Sequence, residues 1–247
     1  MAKSHVPIAI ATRVVTVETM TSPLAERPAR IAVVYYSARG NVHGLAHAVA
    51  KGAASEGAEV RLRHVAELNQ ELLISAKQHW GRHRSEIEDE PEARLEDIEW
   101  ADGIAFGTPT RFGNVSAQLK LFLDLAGELW QQGRLVDKVA TAFTSSQTEH
   151  GGQESTILAL NNTLYHWGAI IVPLGYTVHD VFNGGGNPYG ASFTSDDHTG
   201  GPDEDALVVA RAQGARLARV AKVIGAARDA GLLTTKPAPS DAADRLR

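Results

Sequence analysis

Residues 103–114 of the chain are GIAFGTPTRFGN, and this stretch decides the fold class. Its apolar start, residues 103–106, is typical of a buried strand, and the apolar spacing of residues 116–125 predicts a helix. The loop between them holds two glycines, a proline, hydroxyls, an arginine and an aromatic ring. Open α/β sheets bind ligands in such loops. The loop suits a flat, polar-edged aromatic ligand, although an ordinary turn with Ser116 near the helix N-cap fits the same residues.

The same alternation of strand and helix continues along the chain on both sides of this loop. Strands are predicted at residues 31–36, 58–65, 103–106, 138–143 and 169–174, and helices at 42–55, 116–125, 153–165 and 204–227. Such alternation predicts a parallel sheet with helices on both faces. Five strands favour the order 2-1-3-4-5, so we predict an α/β, flavodoxin-like, doubly wound five-stranded parallel sheet.

The pattern predicts one domain, at residues 30–228, between two tails. Residues 1–29 and 229–247 are polar with scattered proline, serine and alanine, and we expect mobile tails there. The polar segment 69–99 interrupts the alternation and is interpreted as a long excursion or lid between the second and third strands.

Composition excludes several classes of function. The 247 residues are 43% hydrophobic, enough for one sizeable core. The absence of cysteine excludes disulfides, thiolate catalysis and cysteine-ligated clusters, and we predict no metal site. With a net charge of −5 and no basic patch, nucleic acid is not an expected partner. No apolar run approaches the ~20 residues of a membrane span, and the N-terminus is a poor signal peptide, so we expect a cytoplasmic protein.

Residues 37–42, SARGNV, form another candidate binding loop after the first strand; in chain order it is the first loop, and the loop within residues 107–114 is the second. A hydroxyl, a glycine and backbone N–H groups at a helix N-terminus suit a phosphate. The loop is neither a Walker A motif nor G-x-G-x-x-G, so neither a nucleoside-triphosphate site nor a classical dinucleotide site is indicated. Helix capping by Ser37 or Asn41 is a compatible alternative.

Residues 144–152, TSSQTEHGG, form a third loop that can wrap the polar edge of a ring. The first, third and fourth strands are neighbours in the predicted order, so the three loops should converge on one crevice. Within the third loop, Glu149 and His150 are interpreted as a solvated pair rather than acid–base machinery. A histidine beside a core tryptophan, as at His166 and Trp167, is more often structural than catalytic. Trp130 is either partly buried core or a stacking platform.

Several motifs together resemble the WrbA family of FMN-dependent NAD(P)H:quinone oxidoreductases, which are flavodoxin-like. The most specific are GTPTRFGN at 107–114 and HGGQE at 150–154. The others, in family order, are VYYS at 34–37 with Gly40, FLD at 122–124 with LW at 129–130, IVP at 171–173 with GY at 175–176, and GGNPYG at 185–190. The resemblance covers about residues 30–226 and implies a flavodoxin-like, FMN-binding domain.

The resemblance also implies roles for individual residues. The first loop would hold the FMN phosphate, the second would line the isoalloxazine, and the third would wrap the flavin and ribityl chain. The implied cofactor-binding residues are Ser37, Ala38, Arg39, Gly40, Asn41, Val42, Pro109, Thr110, Arg111, Phe112, Gly113, Asn114, Ser145, Ser146, Gln147, Thr148, Gly151 and His166. The implied substrate-binding residues are Trp130, Arg39 and Tyr176. Arg111 and His166 would tune the flavin, and no residue is assigned as acid, base or nucleophile.

The activity implied by the resemblance is two-electron reduction of quinones to hydroquinones by NADH or NADPH, ping-pong through FMN. Family members are homotetramers in which neighbouring subunits complete each pocket. Arg39 departs from the family, which commonly has an aromatic residue there in contact with the nicotinamide nucleotide, and Trp167 replaces a frequent histidine. A flavodoxin-type electron carrier or a flavin-bound structural or signalling module is the alternative. The mild charge, the 69–99 segment and Trp130 favour the enzyme.

Aromatic residues outside the five predicted strands give a separate indication of assembly. They are Trp80, Trp100, Trp130, Tyr176 and Phe182. Contiguous apolar surface usually marks an interface, so these residues are consistent with a homotetramer. Local packing under the 69–99 segment is the alternative.

Overall fold

The computed structural model describes residues 27–68, 89–195 and 201–233. These residues are arranged around a parallel sheet. Its strands are β1 (Arg30–Tyr35), β2 (Glu59–His64), β3 (Gly103–Pro109), β4 (Val139–Ser146), β5 (Ile170–Ile171) and β6 (Ser192–Thr194). The order is β2-β1-β3-β4-β5, and every pairing is parallel. The predicted flavodoxin-like order is therefore confirmed.

The far edge of the sheet differs from the prediction, because two short strands share it. β5 pairs with Val139 and Ala140 at the start of β4, and β6 pairs with residues 144–146 at its end. The predicted strand at 169–174 is thus shorter, and a sixth strand was missed. Pro173 offers no N–H for a ladder, which fits the departure of the chain from the sheet at that point. Three-residue strands carry too little periodicity to be found from sequence.

Helices cover both faces of the sheet. They are α1 (Asn41–Ser55), α2 (Leu95–Trp100), α3 (Ala117–Leu125), α4 (Gly127–Gln131), α5 (Gln153–His166) and α6 (Glu204–Asp229). One buried cluster joins α1 and α6 to the sheet, and another joins α2, α3, α4 and α5 to its opposite face. Side chains alternate between these clusters along β1, as the pleat of a strand requires. None of the helices in the described ranges is long and apolar enough to cross a bilayer.

The two central strands extend further toward their carboxyl ends than the sequence predicted. β3 runs to Pro109 rather than 106, and β4 runs to Ser146 rather than 143. Their register continues to the pair Pro109 and Ser145, and the Thr144 hydroxyl also donates to the carbonyl of Thr108 at 2.6 Å. Hydroxyl-rich segments are typical of loops, so composition assigns the extra paired residues to the neighbouring loops.

Several predictions fall partly outside the described residues. Of the polar segment 69–99, residues 69–88 lie outside them, and its end forms the unpredicted helix α2. Of the two predicted tails, residues 1–26 and 234–247 lie outside. The described part of the N-terminal tail includes Arg27, which bonds to Asp102 and Asp229. The mobility of both tails stays a prediction.

Candidate functional site

The three predicted loops meet at the carboxyl ends of β1, β3 and β4 and enclose a cleft of about 560 Å³. This volume lies within the usual range for small-molecule sites. The lining residues are Ser37, Ala38, Arg39, Asn41, Val42, Pro109, Thr110, Arg111, Phe112, Ser145, Ser146, Gln147, Thr148, Gly151 and Ser195. Among these described lining residues none is acidic and two are arginines, so the cleft suits an anionic ligand.

The first loop presents the N-terminus of α1 to the cleft. The N-cap is Gly40, whose φ of 93° suits glycine, and no side chain caps the helix. Ser37 Oγ instead accepts the N–H of Gly40 at 3.1 Å. The alternative in which Ser37 or Asn41 caps this helix is therefore wrong. The uncapped N–H groups and the helix dipole are features that bind phosphate.

The second loop turns back on itself at the mouth of the cleft. Arg111 and Asn114 exchange backbone hydrogen bonds of 2.9 and 3.0 Å around Phe112 and Gly113, which have φ values of 53° and 74°. These values are typical of a two-residue type I′ turn, whose first position normally holds asparagine, aspartate or glycine. Phe112 adopts this uncommon backbone conformation. Its side chain is fully exposed (102%), so burial of the ring does not compensate for the strain. Strained residues of this kind cluster at ligand clamps.

Hydrogen bonds of Thr110 connect the second loop to the third loop and to the helix that follows it. The Thr110 N–H donates to the Ser145 carbonyl at 2.9 Å, and its hydroxyl accepts from Thr156 Oγ1 at 2.8 Å. Gly152 packs so closely on the neighbouring loop that an added Cβ would lie 2.9 Å from Gly113 Cα. The two loops therefore form one rigid wall, which limits the reorganisation that ligand binding requires.

The floor of the third loop is held by Gln153, whose side-chain amide donates to Ser146 Oγ at 2.7 Å and to Thr194 Oγ1 at 2.8 Å. Thr194 belongs to β6, and the next residue, Ser195, lines the cleft. Sequence reasoning missed Ser195 because it follows the short strand β6, which gave no signal. Glu149 and His150 are exposed and do not line the cleft.

Among the remaining predicted site residues, Gly40, Gly113 and Asn114 shape the turns but do not line the cleft. Two others lie at the far end of α5, which begins beside the cleft. Its 14 residues span about 20 Å. His166 ends this helix, and Trp130 Nε1 donates to its carbonyl at 2.8 Å. Neither His166 nor Trp130 lines the cleft of its own chain.

Tyr176 also lies outside the lining of the cleft. It is exposed and stacks on Phe182, with ring centroids 5.0 Å apart and an interplanar angle of 6°. Trp100 instead packs locally, because the Arg61 guanidinium lies 4.0 Å from its ring centroid. Trp80 lies outside the described residues. Trp100 thus contacts Arg61 on β2, whereas Trp130, Tyr176 and Phe182 are exposed. Packing under the 69–99 segment stays untested, because residues 69–88 lie outside the described residues.

Comparison with known proteins adds to this geometry. The model of the NADPH-dependent FMN reductase family matches residues 29–183. The chain belongs to this family. Within the FMN reductase family, the chain is 45% identical over 198 residues to an NAD(P)H dehydrogenase (quinone) of Sinorhizobium fredii, covering 78% of this chain and 97% of the relative.

Two further similarities support membership of the FMN reductase family. An NAD(P)H dehydrogenase (quinone) of Deinococcus radiodurans is 42% identical over 168 residues, covering 68% of this chain and 84% of the relative. A solved structure of a WrbA-like flavodoxin from Agrobacterium tumefaciens has a TM-score of 0.56 and 27% identity, covering 78% of this chain and 98% of that one. The resemblance to the WrbA family is confirmed.

Proposed function

We propose that this chain is an NAD(P)H:quinone oxidoreductase that binds FMN and reduces quinones to hydroquinones by two electrons. The observation that carries the proposal is a single cleft in which an uncapped helix N-terminus, two arginines and a rigid two-loop wall converge. Relatives at 42% and 45% identity carry the name NAD(P)H dehydrogenase (quinone). Because the cleft offers one place for both substrates, NADH or NADPH and the quinone bind in turn.

The residues of the cleft fit FMN. The first turn of α1 and the Ser37 loop hold the phosphate through backbone N–H groups. Thr110, Ser145 and Thr148 line the cleft, and hydroxyl-bearing residues suit a ribityl chain, while the strained Phe112 turn borders the ring. Bound FMN supplies hydride acceptance and two-electron transfer, and the protein supplies binding, orientation and electrostatics.

Cofactor analysis and steady-state kinetics test this function. Flavin released from the purified protein should be FMN by chromatography. NADH consumption should depend on benzoquinone, and initial-rate plots at several quinone concentrations should be parallel. Predominant FAD, or no flavin affinity on reconstitution, would exclude the cofactor assignment. Flavin binding without quinone-dependent NADH consumption would instead support an electron carrier or signalling module.

Replacing Arg111 with alanine is expected to weaken FMN binding or lower kcat/KM for quinone about tenfold, which corresponds to about 1.4 kcal/mol. The guanidinium borders the cleft, and in the complex its charge would offset negative charge on the ring. Flavin titration and quinone kinetics provide the measurement. The control is Arg219→Ala, which removes an exposed arginine paired with Glu56 far along α6 and should change neither quantity. Unchanged behaviour of Arg111→Ala would remove its assigned role.

We also propose a homotetramer in which neighbouring chains complete each cleft. Helices α3, α4 and α5 lie on one face of the sheet and expose large apolar side chains, namely Leu121, Leu125, Trp130, Leu158 and Tyr165. Such a surface is typical of an interface. His166 and Trp130 lie on it, outside the lining of their own cleft, and in an assembly they would serve a neighbour's. Closed two-fold symmetry favours a D2 tetramer.

Replacing Leu125 with glutamate is expected to dissociate the tetramer and abolish most quinone reductase activity, because a charge would replace a 60% exposed leucine within the proposed interface. Light scattering at micromolar concentration should give a mass near four chains for the unmodified protein. The matched control is Val223→Glu, which places a charge on α6, on the other side of the sheet, and should leave the mass unchanged. A monomer with full activity would show that one chain holds a complete pocket.

A cytoplasmic location remains part of the proposal. It rests on the use of NADH or NADPH and on a sequence without cysteine. Fractionation of cells with an antibody against the chain tests it, and recovery in a membrane or secreted fraction would contradict it.

A further inference from the structure

Beside the cleft, but not lining it, two histidines and a glutamate form a cluster on α1. His43 and His47 are four residues apart, so their side chains lie on the same side of the helix. Their ring centroids are 4.4 Å apart. The Glu90 carboxylate reaches both rings, with Oε1 at 2.6 Å from His47 Nε2 and at 3.5 Å from His43 Nδ1.

The fold brings Glu90 to α1 through the end of β2. His64 donates its N–H to the Pro91 carbonyl at 3.3 Å, and the Ala93 N–H donates to the His64 carbonyl at 2.8 Å. This short bridge fixes the backbone that follows Glu90. The sequence separation of 43 between His47 and Glu90 explains why a ligand set was not evident from the sequence.

We propose that His43, His47 and Glu90 bind a divalent first-row transition metal such as Zn²⁺. Two imidazoles and a carboxylate are ligands that such metals prefer. The three donor atoms already lie within 4.8 Å of one another. In a tetrahedral zinc site with bonds of about 2.0–2.1 Å, donor atoms are about 3.3 Å apart.

Small adjustments bring the cluster to that geometry. The separation of His43 Nδ1 from Glu90 Oε1, 3.5 Å, already fits. His43 Nδ1 also forms a hydrogen bond of 2.8 Å with the Tyr35 hydroxyl, and it must give up this bond to bind the metal. His47 Nε2 and Glu90 Oε1, at 2.6 Å, share a hydrogen bond and must separate by less than ~1 Å. The His47 side chain is 50% exposed and has room to move. The metal would replace the proton that these two groups share.

Tyr35 positions the carboxylate. Its ring is fully buried, and its hydroxyl donates to Glu90 Oε2 at 2.8 Å, leaving Oε1 directed at the histidines. Hydrogen bonds of this kind to a metal ligand orient it and tune its affinity. Burial acts to raise the pKa of Glu90, but hydrogen bonds from His47 and Tyr35 outweigh it, so the pKa lies below its usual value. Glu90 is therefore an ionised ligand at neutral pH.

The bound metal would crosslink Glu90 to α1 through His43 and His47. No residue of the cluster lines the cleft, so the metal does not enter the quinone reaction. This inference is independent of the proposed function, and its test is a binding measurement rather than an activity.

Calorimetric titration of tag-free, flavin-loaded full chain with ZnCl₂ tests the proposal. The titration is run near pH 8, because the hydrogen bond with Glu90 raises the pKa of His47 and protons compete with the metal. We expect one zinc per chain and a Tm that rises by about 5 °C at saturating zinc. MgCl₂ should give neither effect, because Mg²⁺ prefers oxygen ligands.

Variants locate the zinc. His47→Gln and Glu90→Gln should each weaken zinc binding at least about tenfold, because each removes one ligand. The control His179→Gln changes an exposed histidine outside the cluster and should bind zinc as the unmodified chain does. An unchanged circular dichroism spectrum shows that each variant is folded. Absence of zinc binding, or zinc binding that neither cluster variant weakens, would overturn the proposal.

Discussion

Replacing Asp102 with alanine is expected to lower the free energy of unfolding by about 3 kcal/mol. This carboxylate is buried at the start of β3, where it accepts from Arg27 at 2.7 and 3.1 Å, from the Arg30 N–H at 2.9 Å and from Arg228. Its removal takes this acceptor away from one backbone donor and two guanidinium groups, of which Arg27 keeps its bond to Asp229. Both arginine side chains are about one-third exposed, so water can solvate the freed guanidinium groups and reduce the loss of unfolding free energy. Chemical denaturation measures the change.

The loss should also depend on pH. Burial acts to raise the pKa of Asp102, but hydrogen bonds from Arg27 and the Arg30 N–H outweigh it, so the folded-state pKa lies below the ordinary value. A lowered carboxylate pKa contributes stability above the unfolded-state value, about 3.9, and loses it as pH falls through the folded-state value. The difference between the two chains should therefore be largest near neutral pH and shrink below about pH 4.

Asp229→Ala is the matched control for Asp102→Ala. Asp229 also bonds to Arg27, at 2.8 Å, but its side chain is 46% exposed, so its loss should cost less than about 1 kcal/mol. Equal losses for the two variants would show that burial does not set the strength of this network.

Replacing Gly214 with alanine is expected to lower the free energy of unfolding by about 2 to 3 kcal/mol. An added Cβ would lie 2.0 Å from the Val49 carbonyl oxygen on α1. The contact is reciprocal, since a Cβ on Gly52 would lie 1.9 Å from the Arg211 carbonyl oxygen. Both obstacles are backbone, so α1 and α6 must move apart. FMN binding should weaken as well, because α1 carries the proposed phosphate site.

The prediction is most specific in its direction, because Gly214→Ala should lower the free energy of unfolding. Helix propensity alone would make glycine-to-alanine stabilising by about 1 kcal/mol within α6. Gly127→Ala is the control, because Gly127 begins α4 and an added Cβ there has nothing within 4 Å. Thermal and urea unfolding should show Gly127→Ala unchanged or slightly stabilised. A stabilised Gly214→Ala would mean that the two helices are not in close contact.

Local pattern was enough for most of the fold. The apolar runs at β1, β3 and β4, each followed by a helical period, predicted the strand order that the structure has. The same pattern predicted that the loops at Ser37, Thr110 and Ser145 share one crevice, since the order makes their strands neighbours. Strand ends were less accurate, because the hydroxyl-rich ends of β3 and β4 have the composition of loops.

Contacts between distant residues were not predictable in this way. Ser195 enters the cleft only because β6 pairs with the end of β4, some 50 residues earlier. Glu90 meets His43 and His47 only because the end of β2 fixes the chain beside α1. The family resemblance implies that His166 contacts the flavin and Trp130 borders the substrate. Within one chain, however, His166 lies at the far end of α5, and Trp130 on α4 bonds to its carbonyl there.

The sequence by itself determined the class of sheet, the order of its strands and the three binding loops. These features depend on hydrophobic period and on glycine, proline and hydroxyl positions, which are local properties of the chain. Only the tertiary structure decided that Gly40 leaves α1 uncapped, that Ser195 joins the cleft and that Glu90 reaches two histidines. It also placed His166 and Trp130 outside their own cleft. Such outcomes depend on how packed helices and paired strands bring separate segments together, and no local pattern encodes those distances.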